Sequence, residues 1–348
     1  FEKRIEECLL IFDILDIVFI MYSNFITAAE GRRDNYEFSL ALSQSNILKK
    51  HVTDFYTPDL LKNILQNFDE NILFKKLLIR NNNLLSSKKV YSSKRLIFYS
   101  LIKKIIFKNL NFFRDDPQNI ISNIALELAE KYDAGMFLYA GYAYYAFKND
   151  KNIERPKGLI QYHPHIEKSS EILLADLDKY KYLTDAYNQI KKDMEDKTNI
   201  FELNISDKVI CHSKFTADTI MDAGISKEKI ITIPYGIDIE YTSKSKINLI
   251  KPKERCNFLF VGQGIHRKGL HHLLLAWKKA ALKFSTLNII SRYIDPQIKI
   301  NAEMSDNIYF HENIEDIIIE YQKNDVFVMP SIIEGFGYVY LEALSQGL

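Results

Sequence analysis

Two carboxylates flank a glycine turn near the end of the chain. Glu334 precedes Gly335-Phe336-Gly337, and Glu342 lies in the helical pattern that follows. Because the turn comes after the apolar run 326–329, the segment is predicted to be a strand, a turn and a helix. Such a unit presents backbone N–H groups and a helix dipole at the carboxyl edge of a sheet, where an anion or a polyhydroxylated ligand can bind. If the intervening residues were fully helical, the two carboxylates would lie roughly 12 Å apart, about the span from a ribose to a sugar beyond a diphosphate.

A second glycine-bearing segment carries two cations. Gly262 and Gly264 follow the predicted strand 257–261, and Arg267 and Lys268 precede a predicted helix. The glycine spacing does not fit the dinucleotide fingerprint, an acidic ribose partner is missing, and no Gly-Lys-Ser/Thr sequence forms a P-loop, which disfavours a nicotinamide dehydrogenase. A glycine turn with two cations beside a helix N-terminus suits a diphosphate leaving group, whose negative charge grows as a sugar departs.

Polar residues also follow two predicted strands in the first half of the chain. Arg32 and Arg33 come after the predicted strand 17–22, either as anion contacts or as solvated loop charges. His163 and His165, on either side of a proline, follow a later strand and can face a ligand. Histidines at this spacing can also ligate a metal, but no third ligand stands out, so no metal site is predicted.

An Asp-x-Asp pair, Asp176 and Asp178, has the pattern that can hold a divalent metal on a nucleotide diphosphate. Because the pair lies in a helical pattern, we interpret it as part of a solvated helix face. Three cysteines, Cys8, Cys211 and Cys256, lie far apart and fit neither a disulfide framework nor a zinc site, which favours a reducing compartment.

Composition limits the classes of protein that the chain can belong to. A length of 348 residues predicts two domains. Forty-six basic residues balance 45 acidic ones, so binding of nucleic acid through bulk charge is not expected. No cleavable signal is recognised, and the first apolar run is too short to span a bilayer, so we predict a cytoplasmic protein. Because the chain starts at Phe1 and stops one helix after a strand, we expect it to be a fragment.

Strands alternate with helices along the sequence, which predicts an α/β protein with parallel sheets. The other predicted strands are 51–56, 133–140, 158–162, 206–213, 230–234, 287–290 and 307–311. The principal helices are expected at about 36–49, 214–224, 270–284 and 314–323, and the intervals 60–130 and 166–200 are interpreted as largely helical. A lysine-rich segment, 242–255, is the predicted linker between domains 1–245 and 246–348.

The segment 94–114 combines an apolar helical stripe with several lysines. This pattern fits a helix that lies on an anionic membrane surface. It fits equally a surface helix whose apolar stripe faces the core. A peripheral contact with the inner face of the membrane therefore stays open as one interpretation.

The motifs described above, taken together, resemble those of the family 4 glycosyltransferases of the GT-B fold, and the match is most specific over residues 204–348. The residues that carry this resemblance are Ser206-Asp207-Lys208-Val209-Ile210, Ser213, Ile233-Pro234-Tyr235-Gly236-Ile237-Asp238, Val261-Gly262, Arg267-Lys268-Gly269, Pro330-Ser331, Glu334-Gly335-Phe336-Gly337 and Leu341-Glu342-Ala343. In the first half, Gly31-Arg32-Arg33-Asp34 and His163-Pro164-His165 are similar to one bacterial branch of these enzymes.

The resemblance implies two Rossmann-like domains whose parallel sheets face each other across a cleft, with the second domain, 246–348, incomplete. It implies a retaining transfer from a nucleotide-diphosphate sugar to a glycan or lipid-linked acceptor, in cell-surface polysaccharide synthesis, with neither a cofactor nor an obligatory metal. The second domain would bind the donor and the first domain the acceptor.

The resemblance also implies roles for individual residues. Glu334 would hold hydroxyls of the donor sugar, Glu342 the ribose and Lys268 the diphosphate. The remaining implied site residues are Gly262, Arg267, Gly335, Phe336 and Gly337 at the donor, Arg32, Arg33 and His165 at the acceptor, and His163 at the reaction centre. His165 has a structural role as its alternative.

One position departs from the family pattern. An arginine often follows the first glycine of the cationic loop, whereas this chain has Gln263 there, and Arg267 is the residue that would supply the charge. A non-catalytic module that binds sugar nucleotides or glycans with the same fold is therefore the alternative function.

Overall fold

The structure is a computed structural model of the chain. It describes residues 22–65, 77–78, 80–92, 117–237, 255–301, 305–312, 314 and 316–348. Three predictions lie wholly or almost wholly outside these residues: the strand 17–22, the basic helix 94–114, and the linker 242–255 with the domain boundary inside it.

Twelve α-helices are present in the described residues. In chain order they are α1 (Glu37–Gln44), α2 (Asp59–Leu65), α3 (Pro117–Tyr132), α4 (Tyr144–Asn149), α5 (Ile166–Leu177), α6 (Thr184–Glu195), α7 (Thr198–Ile205), α8 (Lys214–Asp222), α9 (Leu270–Ala280), α10 (Pro296–Asn301), α11 (Ile317–Lys323) and α12 (Tyr338–Ser345). Most of them connect parallel strands, as the alternating pattern predicts.

The larger sheet of the described residues has seven strands. They are β1 (Phe25–Ala28), β2 (Leu48–Thr53), β3 (Val90–Ser92), β4 (Gly135–Tyr139), β5 (Lys157–Gln161), β6 (Lys208–Cys211) and β7 (Ile230–Thr232). Their order is β3-β2-β1-β4-β5-β6-β7, and the pairings from β3 to β6 are parallel. Strands β4 and β5 are buried along their whole length, as expected for parallel strands covered on both faces.

Strand β1 was not predicted, and β2 starts before its predicted position. The strand that leads into the arginine loop is β1, Phe25–Ala28, which begins after the predicted strand 17–22. Helix α1 ends at Gln44, so β2 starts at Leu48 rather than at residue 51. The edge strand β3 was not predicted, because three partly exposed residues leave little apolar pattern.

The second sheet has four parallel strands in the described residues, in the order β10-β9-β8-β11. They are β8 (Asn257–Val261), β9 (Thr286–Ile290), β10 (Ile308–His311) and β11 (Val326–Phe327). Each of the four strands overlaps a strand that was predicted from the sequence. The predicted α/β class with two parallel sheets is therefore confirmed.

Helix α9 packs on this sheet through one apolar stripe. Leu270, Leu273, Leu274 and Trp277 are spaced so that they share a helix face, and all four are buried. Residues of α5 and α6 join the same apolar cluster, including Leu173 of α5. This packing brings α5 close to the start of α9.

Contacts divide the chain into two compact units whose segments alternate along the sequence. The second unit contains 163–196 and 212–224 in addition to 232–348, and the remaining residues form the first unit. Helices α5, α6 and α8 thus belong to the second unit, although they precede residue 245. None of the helices in the described ranges is both long and apolar enough to cross a lipid bilayer.

Candidate active site

The two glycine-bearing segments leave the same edge of the second sheet. Strands β8 and β11 are adjacent and parallel, with Phe258 paired with Val326. The loop after β8 and the turn after β11 therefore begin side by side. A backbone hydrogen bond of 2.9 Å from the N–H of Ile332 to the carbonyl oxygen of Arg267 holds them together.

Gly269 allows this close approach. Its φ is +71°, and a Cβ atom at this position would lie 1.8 Å from the carbonyl oxygen of Pro330. Any side chain would therefore push the two loops apart and strain the backbone as well. The glycine that follows Arg267 and Lys268 fixes where the two cations meet the turn.

Glu334 is paired with both cations of the loop. The ammonium group of Lys268 donates to Oε2 of Glu334, and Nη1 of Arg267 lies 3.4 Å from Oε1. The three side chains are mostly buried, with exposed fractions of 14% for Lys268, 19% for Glu334 and 27% for Arg267. Burial acts to raise the pKa of Glu334, but the positive charges of Lys268 and Arg267 outweigh it and hold that pKa below its ordinary value. Residues predicted to bind the diphosphate and the sugar are thus in direct contact.

Glu342 lies on α12, where the hydroxyl group of Tyr321 donates a 2.9 Å hydrogen bond to its Oε2. Tyr321 is fully buried, so this bond fixes the position of the carboxylate. Burial raises the pKa of Glu342, and the hydrogen bond from Tyr321 only partly offsets it. Helix α12 begins at Tyr338, so the segment from Glu334 to Glu342 is not fully helical and the 12 Å estimate does not apply.

The turn between the two glutamates is anchored through a backbone carbonyl group. The carbonyl oxygen of Gly335 accepts hydrogen bonds from the hydroxyl groups of Ser213 and Thr216, the latter at 3.2 Å. Gly337 has a φ of +81° and is the N-cap of α12. No described residue accepts a hydrogen bond from the N–H groups of Gly335 and Phe336. The turn can therefore offer these amides at the N-terminus of a helix.

The aromatic ring of Phe336 meets a small stack of rings. Tyr235 stacks on His212 with 3.8 Å between the ring centroids, and it forms a T-shaped contact with Phe336, whose ring centroid lies 5.4 Å away. These residues belong to the second unit together with the turn. The Tyr235 segment, which sequence reasoning used only as a family motif, thus supports the turn physically.

The two histidines have different environments. His165 is buried and caps α5, because its Nδ1 accepts a 3.4 Å hydrogen bond from the N–H of Glu167. His165 therefore has a structural role in this fold, while its contact with an acceptor stays a prediction. His163 is exposed, lies at the start of a segment of the second unit, and lowers the pKa of Glu334 through its charge.

In the first unit, the arginine loop follows β1. The guanidinium carbon of Arg33 lies 4.3 Å from the ring centroid of Tyr162, whereas Arg32 is exposed. The hydroxyl group of Tyr139 donates to Asp34, and burial raises the pKa of that carboxyl group to about 7. Asp34 has a φ of 40° and is followed by two more residues with positive φ, a backbone strain that is typical of functional loops. The sequence motif includes this loop, but no role was predicted for Asp34.

A cluster of histidines around Asp176 was also missed. Nε2 atoms of His266, His271 and His272 lie 2.8, 3.2 and 2.8 Å from the carboxylate oxygens of Asp176. Burial opposes ionisation of Asp176, but the three hydrogen bonds outweigh it and lower its pKa. The solvated-face interpretation is therefore wrong for Asp176, while Asp178 is exposed as expected. The available signal was the presence of three histidines within one loop and the first turn of its helix.

Two family descriptions match the chain. Residues 255–348 match "Glycosyl transferases group 1", and residues 104–241 match "Glycosyltransferase Family 4". Among curated proteins, an "uncharacterized 41.2 kDa protein in cps region" of Klebsiella pneumoniae is 27% identical over 281 residues, with 75% of this chain and 69% of the relative covered.

Solved structures with a similar fold include two that contain a bound nucleoside diphosphate. HepE of Anabaena, in complex with UDP and glucose, has a TM-score of 0.51 at 15% identity, and the match covers 94% of this chain and 79% of the HepE chain. The catalytic domain of starch synthase IV from Arabidopsis thaliana, bound to ADP and acarbose, has a TM-score of 0.56 at 12% identity and covers 94% of this chain and 81% of its own. These identities show a likeness of fold.

The two family matches, the two parallel sheets and this likeness define a glycosyltransferase of the GT-B fold. Within that class, the two matches support a family 4-like glycosyltransferase. The expected family and fold are therefore confirmed.

Proposed function

We propose that the protein transfers a sugar from a nucleotide-diphosphate sugar to a glycan or lipid-linked acceptor, with retention of the anomeric configuration. The observation that carries this proposal is the cluster of Lys268, Arg267 and Glu334 at the carboxyl edge of the second sheet, beside the N-terminus of α12. The complexes of HepE with UDP and glucose and of starch synthase IV with ADP and acarbose support a nucleotide-linked donor.

The diphosphate binds to the cationic loop in this proposal. Lys268 and Arg267 supply positive charge, and the N–H groups at the start of α12 supply hydrogen bonds. Negative charge on the diphosphate grows as the bond to the sugar breaks. Preorganised cations therefore stabilise the transition state more than the bound donor, which is what accelerates the reaction.

The two glutamates bind hydroxyl groups at opposite ends of the donor. Glu334 stays ionised at neutral pH because the neighbouring cations lower its pKa, so it can accept hydrogen bonds from the transferred sugar. Glu342 accepts hydrogen bonds from the ribose, in the orientation set by Tyr321. The exposed His163 lines the reaction centre near Glu334, and neither step requires a metal or a cofactor.

The acceptor binds to the first unit through the arginine loop. Arg32 is exposed, and Arg33 and Asp34 lie beside tyrosine side chains that offer stacking surface and hydroxyl groups. Such a mixture of charge and aromatic surface suits a sugar or a phosphorylated lipid head group. A contact of the segment 94–114 with an anionic membrane remains a prediction, as does action in the cytoplasm.

The biological role that we propose is synthesis of a cell-surface polysaccharide. The support is the relative of Klebsiella pneumoniae, whose description places it in a cps region. The exposed Gln263, where the family often has arginine, keeps the non-catalytic binding module as the second candidate.

A donor screen tests the proposal. The full chain is incubated with a panel of UDP-, GDP-, ADP- and dTDP-linked sugars, and binding is measured by calorimetry and turnover by nucleotide release. We expect one nucleotide sugar to bind and to be consumed, with the anomeric configuration of the product read by NMR. Binding without turnover would favour the binding module, and failure to bind any member of the panel would contradict both the transferase and a module that binds sugar nucleotides.

A further inference from the structure

A carboxylate and three imidazoles converge in the second unit, outside the residues assigned to the donor. Oδ2 of Asp176 lies 2.8 Å from Nε2 of His266 and 3.2 Å from Nε2 of His271. The three ligand atoms all lie within 4.8 Å of one another. The exposed fractions of the side chains are 3% for His266, 1% for His271 and 14% for Asp176.

These three groups have the chemistry and the spacing of a zinc site. Zinc binds histidine nitrogen and carboxylate oxygen at about 2.0–2.1 Å in tetrahedral geometry, which places neighbouring ligand atoms roughly 3.3 Å apart. The observed separations of 2.8 and 3.2 Å are close to that value, so small side-chain movements suffice to admit the ion. Water can complete the coordination.

A further side chain, His272, holds the Asp176 carboxylate in place. Nε2 of His272 lies 2.8 Å from the second oxygen of Asp176, and Nδ1 of His272 lies 3.3 Å from the hydroxyl oxygen of Tyr180. A hydrogen bond to the distal oxygen of a ligating carboxylate fixes its orientation and strengthens metal binding. The His272 side chain is 34% exposed, which leaves a route from solvent to the cluster.

We propose that Asp176, His266 and His271 bind one zinc ion. The ion would join α5 to the loop that carries the donor cations, because His266 directly precedes Arg267 and Lys268 in a single 3₁₀ turn. Zinc then fixes the backbone from which both cations reach Glu334. The role of that loop rests on the proposed function, whereas the metal site itself does not.

The test measures zinc directly. The full chain is purified without a polyhistidine tag, and its metal content is determined by mass spectrometry. We expect one zinc ion per chain. After removal by a chelator, added Co²⁺ should restore intense visible absorption bands that are typical of a four-coordinate ion, and zinc should raise the melting temperature.

Two variants and a matched control complete the test. Asp176→Asn keeps a hydrogen-bond acceptor for the histidines but removes the charge, so zinc binding should be lost while the circular dichroism spectrum is retained. His272→Ala should weaken zinc binding about tenfold. Asp178→Asn makes the same chemical change on an exposed side chain just past the end of α5 and should bind zinc like the wild type.

The outcomes separate the site from the enzyme function. Folded wild-type protein that neither contains zinc nor takes up Zn²⁺ or Co²⁺ would overturn the proposal, as would equal zinc binding by Asp176→Asn and the wild type. Loss of zinc should also raise the KM for the donor more than it lowers kcat, because the loop loses its position. Normal zinc binding without any glycosyl transfer would count against the proposed function and leave the metal site intact.

Discussion

Replacement of Lys268 by methionine tests the donor site most directly. The change keeps most of the length of the side chain and removes its charge. Arg267 remains 3.4 Å from Glu334, so the glutamate keeps a cationic partner and the protein should stay folded. What is lost is the charge that we assign to the diphosphate.

The expected effect follows from the strength of a charge-assisted hydrogen bond. Such a bond contributes about 1.5–3 kcal/mol in a partly buried setting, and Lys268 is 14% exposed. Because each 1.4 kcal/mol or so changes a rate tenfold, kcat/KM for the donor should fall about 10- to 100-fold in Lys268→Met. Part of the loss should appear in kcat, since the charge on the leaving diphosphate is largest in the transition state.

The assay is nucleotide release at several donor concentrations, with melting temperature measured in parallel. Lys279→Met is the matched control, because this exposed lysine lies on α9 away from the loop, and its kinetics should equal those of the wild type. Glu334→Gln and the double variant complete a cycle in which the two losses should not add, since the side chains are in contact. Activity of Lys268→Met within twofold of the wild type would refute the site assignment.

Three further perturbations address separate parts of the fold. Tyr321→Phe removes the hydrogen bond that orients Glu342 and should raise the donor KM severalfold in the same assay. Gly269→Ala should destabilise the protein by more than about 1 kcal/mol in chemical denaturation, because it adds a steric clash to a backbone of positive φ. For Asp34, burial raises the pKa to about 7, so the folded chain holds a proton that the unfolded chain releases near pH 4. The free energy of unfolding therefore falls as the pH rises from about 4 to 7. Asp34→Asn should remove this pH dependence, which melting curves recorded across that range measure.

Each of these predictions has its own control. Tyr309→Phe changes an exposed tyrosine and should leave the donor KM unchanged. Gly224 has a φ of +92° but open space around it, so Gly224→Ala should show the backbone strain without the steric clash. An equal loss of stability in both glycine variants would argue against the contact with Pro330. A wild-type pH dependence that Asp34→Asn retains would show that another group is responsible.

The sequence by itself determined the fold class and most of the strands. Parallel strands form continuous apolar runs in the sequence where both faces are covered. Strand β8, Asn257–Val261, coincides with its predicted position. The two glycine-bearing segments that we assign to the donor were also readable, because each follows a strand of one parallel sheet and therefore leaves the same edge. Short elements with little apolar pattern, such as β3, were not readable.

Only the tertiary structure decided which of the polar residues meet. Asp176 and His266 are far apart in the sequence, and packing of α5 on the second sheet brings them to 2.8 Å. The pairing of Lys268 with Glu334 and the capping role of His165 likewise depend on contacts between distant segments. Periodicity reports how a segment faces its own surroundings, whereas these contacts depend on how several segments pack together, which no local pattern contains.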